Sequence, residues 1–214
     1  MLLIKQIESD LNLPVIEGEE TPESLLTCSR MIDVADYIGR ASAAIQQRQG
    51  DTAQGVDLQA SFIVGGQVPG EDPEMYLIYP QGNYITYSPN QPFLQLGETK
   101  YGKPILDRII TPNTRLEDAA RCALVSMDST VRSNASVGLP VDLVVYRKGS
   151  FRLEQELTFT EDDEFFREMR SAWSTGLMEA FMKLPHFDWE RAQPQLQNQP
   201  LPYGNNVRAM PTQR

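Results

Sequence analysis

The opening residues, MLLIKQIESDL, set Leu3, Ile7 and Leu11 at helical spacing, a stripe that starts at once with no capping residue ahead of it. A polar break, PVIEGEE, follows. Thr21-Pro22 then reads as an N-cap with a first-turn proline, and Leu25, Cys28, Ile32, Ala35 and Gly39 carry a helical period to about Gln49. QGDTAQGVD is a loop. From Leu58 the period changes to that of strands. LQASFIVGG, MYLIYP, NYITYS and FLQLG, separated by short turns at Pro80-Gln81-Gly82 and Pro89-Asn90, predict a meander of antiparallel hairpins. Several of these segments are apolar on both faces, so the sheet is expected to be covered.

Two helices come next, at 101–110 and 115–132. The second stands behind the capping box Thr114-Arg115-Leu116-Glu117, with a stripe of Leu116, Ala120, Ala123, Met127 and Val131 whose alanines suit close packing on a sheet. DLVVYRK and RLEQELTF predict a hairpin around Gly149-Ser150. Thr160 is placed to cap a last helix with Phe166, Met169, Trp173, Leu177 and Leu184 on one face, ended by Pro185. After Trp189 the chain becomes rich in proline and glutamine without a period. The expected organisation is therefore one domain over 1–189 and a flexible tail over 190–214. Helices and antiparallel strands grouped in this order point to an α+β protein with sheets sandwiched by helices.

Composition narrows the function more than the fold. A formal charge of −10 argues against a general nucleic-acid binder, which needs a basic face for phosphates. No segment approaches the roughly 18 apolar residues of a membrane span, and Lys5 and Glu8 interrupt the start too early for a signal peptide. The expectation is a cytoplasmic protein off the membrane. Cys28 and Cys122 both fall on predicted apolar helix faces and read as buried thiols in a reducing compartment. The single histidine, His186, follows Pro185 with no cysteine near it, so neither a common zinc pattern nor a Ser-His pair is indicated. No cofactor or metal is called for.

The densest polar cluster is SMDSTVRSNAS, with Ser126, Ser129, Thr130, Ser133 and Ser136 between a helix and an apolar strand. By itself it reads as a helix end whose hydroxyls and Asn134 satisfy loose carbonyls before Gly138 and Pro140. GETKYGKP lacks the spacing of a phosphate-binding loop and reads as a strand-to-helix turn. The acidic run EDDE at 161–164 sits in the first turn of a helix, where the dipole favours carboxylates.

The segments SFIVGGQ, LGETKYGKPILDR and CALVSMDSTVRSNASVGLPVDLVVY, with a closing Trp-containing helix, resemble the Anbu proteins, the bacterial "ancestral beta subunit" relatives of proteasomes. The match runs from about Leu25 to Trp189. The resemblance implies the N-terminal-nucleophile fold, an αββα sandwich, here expected without its first strands: the family's opening threonine, its aspartate and its lysine have no counterparts in the first sixty residues. It also implies peptide-bond hydrolysis by an N-terminal threonine activated through its own α-amine. On this reading the chain as given is an inactive fragment of a threonine peptidase. The alternative is a non-catalytic, self-assembling subunit.

Residue by residue, RSNASVG resembles the turn that supports the threonine in proteasomes. Ser136 matches the supporting serine, and Ser133 falls where proteasomes carry aspartate. Glu98, in LGETKYG, takes the place of a serine beside the nucleophile. Ser136, Ser133 and Glu98 are thus the expected supporting shell of a site, with no catalytic residue among them. The resemblance further implies a homo-oligomer, a ring or lock-washer helix, with peptide as the substrate of the full-length family. The segments 22–49 and 101–110, apolar on more than one face, are the expected lateral contacts.

Overall fold

The computed structural model describes residues 2–14, 21–50 and 59–191. Its helices are α1 (Leu2–Leu11), α2 (Met31–Gly50), α3 (Lys103–Ile109), α4 (Leu116–Ser133), α5 (Glu164–Met182) and α6 (Asp188–Arg191). Its strands are β1 (Phe62–Gly66), β2 (Glu74–Ile78), β3 (Tyr84–Thr86), β4 (Val141–Tyr146) and β5 (Leu153–Phe159). Strands β1, β2 and β3 form an antiparallel sheet in that order, and β4 and β5 form a separate antiparallel hairpin. The α+β class and the hairpin at Gly149, which takes φ +77°, agree with the sequence reading. The chain divides into two units at Ser171/Ala172. Residues 192–214, most of the expected tail, lie outside the described residues.

Four local expectations are corrected. The helix expected from Thr21 begins instead at Met31, because Asp33 turns back to accept the Arg30 N–H at 3.0 Å and the Arg30 guanidinium at 2.8 Å. The stretch before it contributes only a short 3-10 turn, Leu25–Thr27, in which Thr27 Oγ1 accepts from the Ser24 N–H and donates to the Ser24 carbonyl. FLQLG forms no strand. Pro92 removes a ladder donor just ahead of it, and Gly97 turns the chain at φ +82°. Thr114 does not cap α4, since its hydroxyl accepts the Thr111 N–H at 2.8 Å in the preceding turn and leaves Arg115 at the cap position. Nor does Thr160 cap α5. Asp163 does, accepting the Phe166 N–H at 2.7 Å, which gives one residue of the acidic run a structural role.

The sheet and the hairpin each have a core of their own. Ala35 and Ile78 are fully buried where α2 lies on β1–β3, with Met31, Ile38 and Tyr76 around them and Leu3 and Ile7 of α1 packed alongside. Helix and turn meet closely at Gly39, where a Cβ would lie 2.2 Å from the Gly82 carbonyl oxygen. The second core is Leu124, Val141, Phe159 and Phe166, where α4 and the start of α5 cover the hairpin. Gln67, after β1, links the two. Its Oε1 accepts the Tyr146 hydroxyl at 2.9 Å and the Gly149 N–H at 2.7 Å.

Helix α4 is rotated relative to its predicted stripe. Met127 is exposed, whereas Cys122, Val125, Ser126, Asp128 and Thr130 are buried. Leu116 and Ala120 line a groove of about 410 Å³ against Leu143, Val145, Leu157 and Phe165. Both cysteines are free thiols. Cys122 is buried on α4, while Cys28 is half-buried just after the 3-10 turn rather than inside a helix. Burial pushes both thiols up, with the charges of Asp33 and Glu23 adding to the effect at Cys28. In the second unit His186 Nδ1 lies 2.7 Å from Glu190 Oε2, and the Phe187 and Trp189 rings stack at 4.1 Å. Among the described residues no helix is long and apolar enough to cross a membrane.

Candidate functional site

The polar cluster at the end of α4 takes its shape from a glycine in another segment. Gly102 is buried at the start of α3, where a Cβ would lie 2.1 Å from Ser126 Oγ and 3.0 Å from the Ser126 carbonyl oxygen. With no side chain there, the loop 97–102 passes directly against α4. The buried hydroxyl of Thr130 is satisfied within the helix, donating to the Ser126 carbonyl at 2.9 Å. This approach carries Glu98 to the C-terminal end of α4.

Asn134 receives it there. Its backbone N–H donates to the Thr130 carbonyl at 2.9 Å and so closes the helix. Its side-chain Nδ2 donates to Glu98 Oε2 at 2.9 Å. Its Oδ1 accepts both the Ser136 N–H at 2.9 Å and the Ser136 hydroxyl at 2.7 Å. Glu98 is about three-quarters covered, with Lys100 Nζ 3.9 Å from the same oxygen. Two of the three expected shell residues, Glu98 and Ser136, are therefore joined through one amide. Ser133 is exposed, and among the described residues no hydrogen bond reaches its hydroxyl.

The arrangement orients groups and does not activate a nucleophile. The Ser136 hydroxyl donates to an amide oxygen, which is a poor base, and among the described residues no basic side chain hydrogen-bonds that hydroxyl. Sequence reasoning treated Asn134 only as part of a capped helix end. A local signal was available, since Asn followed two residues on by a backbone N–H donor is an Asx-turn. The contact with Glu98, 36 residues away, had no local signal.

A second polar group on α4 was also missed. Asp128 is 3% exposed and lies between Arg132 Nε at 2.9 Å and Arg170 Nε of α5 at 2.6 Å. The Arg170 N–H is not aimed at the carboxylate oxygen, so that approach is an ion pair without a formed hydrogen bond. Arg170 also lies over the Phe166 ring, 5.5 Å from its centroid. The spacing Asp128–Arg132 is the legible half of this cluster.

Comparison with solved structures places the fold. An Anbu (ancestral beta-subunit) structure from Yersinia bercovieri is 36% identical, covers 87% of this chain and 76% of its own, and superposes with a TM-score of 0.77. The Anbu structure described as a helical assembly, from Pseudomonas aeruginosa, is 45% identical over 86% of this chain and 74% of its own, with a TM-score of 0.77. The chain belongs to the Anbu family. A third Anbu structure, from Hyphomicrobium sp. strain MC1, is 40% identical over 87% of this chain and 75% of its own, at a TM-score of 0.75. No protein-family model matches the sequence, and no curated protein does. The architecture is accordingly that of the Anbu neighbours, the proteasome-like N-terminal-nucleophile fold. In it, the loop bearing Glu98 and the turn bearing Ser136 are brought together by the Gly102 approach.

Proposed function

We propose that the chain is a subunit of a cytoplasmic, self-assembling, proteasome-like complex, and that its Glu98–Asn134–Ser136 cluster supports the N-terminal threonine of a peptidase acting on peptide bonds. The observation that carries this reading is the convergence of Glu98 and Ser136 on Asn134, because it joins two loops that the Anbu resemblance assigns to one shell. Helical assembly in the Pseudomonas aeruginosa relative supports self-association here. On this reading residues 1–214 taken by themselves are expected not to hydrolyse peptides. One observation favours a second reading, a non-catalytic structural subunit. Ser133, at the position where proteasomes carry a charged aspartate, is exposed, and its hydroxyl makes no hydrogen bond among the described residues.

Mass spectrometry after incubation with an electrophilic peptide inhibitor tests the peptidase reading. Residues 1–214 are expected to take no adduct. A form carrying a threonine-initiated pair of strands ahead of Met1 is expected to take one, at that threonine. An adduct on residues 1–214 overturns the claim of inactivity, and none on the extended form favours the structural subunit. Sedimentation of the same samples is expected to show concentration-dependent association, and a monomer throughout would count against assembly.

A further inference from the structure

The hydrogen bonds at the end of α4 determine the direction of the Ser136 hydroxyl. A carboxylate oxygen only accepts, so the end of the Asn134 side chain facing Glu98 Oε2 is the donating Nδ2. The end facing Ser136 is then Oδ1, which also only accepts. It already receives the Ser136 N–H at 2.9 Å, so the hydroxyl at 2.7 Å must donate. The lone pairs of Ser136 Oγ are thereby turned away from Asn134, toward whatever approaches the exposed turn. Exchanging the amide's two ends would oppose Oδ1 to the carboxylate and Nδ2 to a backbone N–H, two repulsive contacts at once. The direction is over-determined.

We propose that Asn134 is a positioning residue that uses the negative charge of Glu98 to hold Ser136 as a hydrogen-bond acceptor at the candidate site. The inference rests on the peptidase reading for what Ser136 serves, but the polarity of the relay does not depend on it. Glu98 acts at one remove: it sets the amide, the amide sets the hydroxyl, and the hydroxyl meets the incoming donor. Lys100, 3.9 Å from Glu98 Oε2 and largely exposed, is the other charged group at the carboxylate.

A polarity swap tests the relay in the full 214-residue chain. Asn134→Asp places two carboxylates against each other and is expected to lower Tm by about 4 °C. Adding Glu98→Gln gives the glutamine amide a donor aimed at the new carboxylate, and the double variant is expected to recover most of that loss. Asn134→Ala combined with Glu98→Gln has no such partner and is expected to recover none. In ¹⁵N-labelled protein, the Asn134 side-chain amide signal, assigned by its loss in Asn134→Asp, is expected to move in Glu98→Met, which keeps bulk but removes the acceptor. An asparagine whose amide donated to some other group would show no such shift. An Asp–Gln pair no more stable than Asn134→Asp alone, or an amide signal unmoved by Glu98→Met, overturns the proposal. Neither readout involves hydrolysis, so failure of the inhibitor to label a threonine leaves this result standing, and the reverse holds as well.

Discussion

Two polar clusters lie within two turns of each other on α4, and they are built on opposite principles. Asp128 is buried and held by ionic partners, Arg132 one turn on and Arg170 from α5. Asn134 is neutral, sits at the edge of solvent, and is held by directional hydrogen bonds to Glu98 and Ser136. A buried charge pair contributes little net stability but costs much to break, because the survivor is left poorly solvated. A bridging amide contributes about 1 kcal/mol per bond, yet it specifies which atom donates and which accepts. The first cluster therefore serves to anchor α5 against α4, and the second to fix direction at the candidate site. Stability and orientation are handled by different residues on one helix.

The largest expected effect comes from removing the anchor. Asp128→Ala leaves two arginines facing an empty site, one of them only a quarter exposed, and should destabilise the fold by about 3 kcal/mol in denaturant unfolding. Replacement by Asn, which keeps the shape, should lose less than Ala. A loss under 1 kcal/mol for Asp128→Ala would mean that the ion pairs are not the basis of the contrast. Gly102→Ala comes next. Its new Cβ must displace Ser126 Oγ and press on the Ser126 carbonyl, at a cost of about 2 kcal/mol by overpacking. A crystal structure of that variant should show the Glu98–Asn134 contact lengthened and the Asp128 ion pairs unchanged. If both clusters move together, the two are one unit and the comparison fails.

The smallest expected effect sharpens the same contrast at the other end of α4. Glu117 is exposed and pairs with Arg147 at 2.5 Å, and that hydrogen bond, with a smaller contribution from its own backbone N–H, holds its carboxyl below the usual range. A carboxyl depressed by folding adds stability that is complete above its unfolded value and is lost as pH falls through its folded value. Glu117→Gln should therefore lower Tm slightly at neutral pH, with the difference from the parent shrinking to nothing in acid. Added salt should shrink it as well, since exposed pairs are screened. A difference that persists at low pH would show that Glu117 acts through packing rather than charge.

Local spacing was enough to read much of this molecule. The stripe Leu3–Ile7, the helical run through Ala35 and Gly39, the first three strands and the hairpin turning at Gly149 all appear where their periods place them. Those features rest on contacts within a few residues, which is the range over which side-chain spacing carries information. The departures share a cause too. Thr21, Thr114 and Thr160 each look like a cap in isolation, but other local hydrogen bonds prevail: Asp33 accepts the Arg30 N–H at the start of α2, the Thr114 hydroxyl is taken by the Thr111 N–H, and Asp163 accepts the Phe166 N–H at the start of α5. The sequence alone also carried the family resemblance and pointed to Ser136 and Glu98. What it could not decide was which residue joins them. The rotation of α4 and the absence of a side chain at Gly102 bring a loop 36 residues upstream within reach of Asn134, and α5 delivers Arg170 to Asp128 across 42 residues. Such pairings have no period in the chain. They exist only once the packed helices bring the two partners face to face, and at the end of α4 that packing joins a helix cap to a carboxylate from another loop.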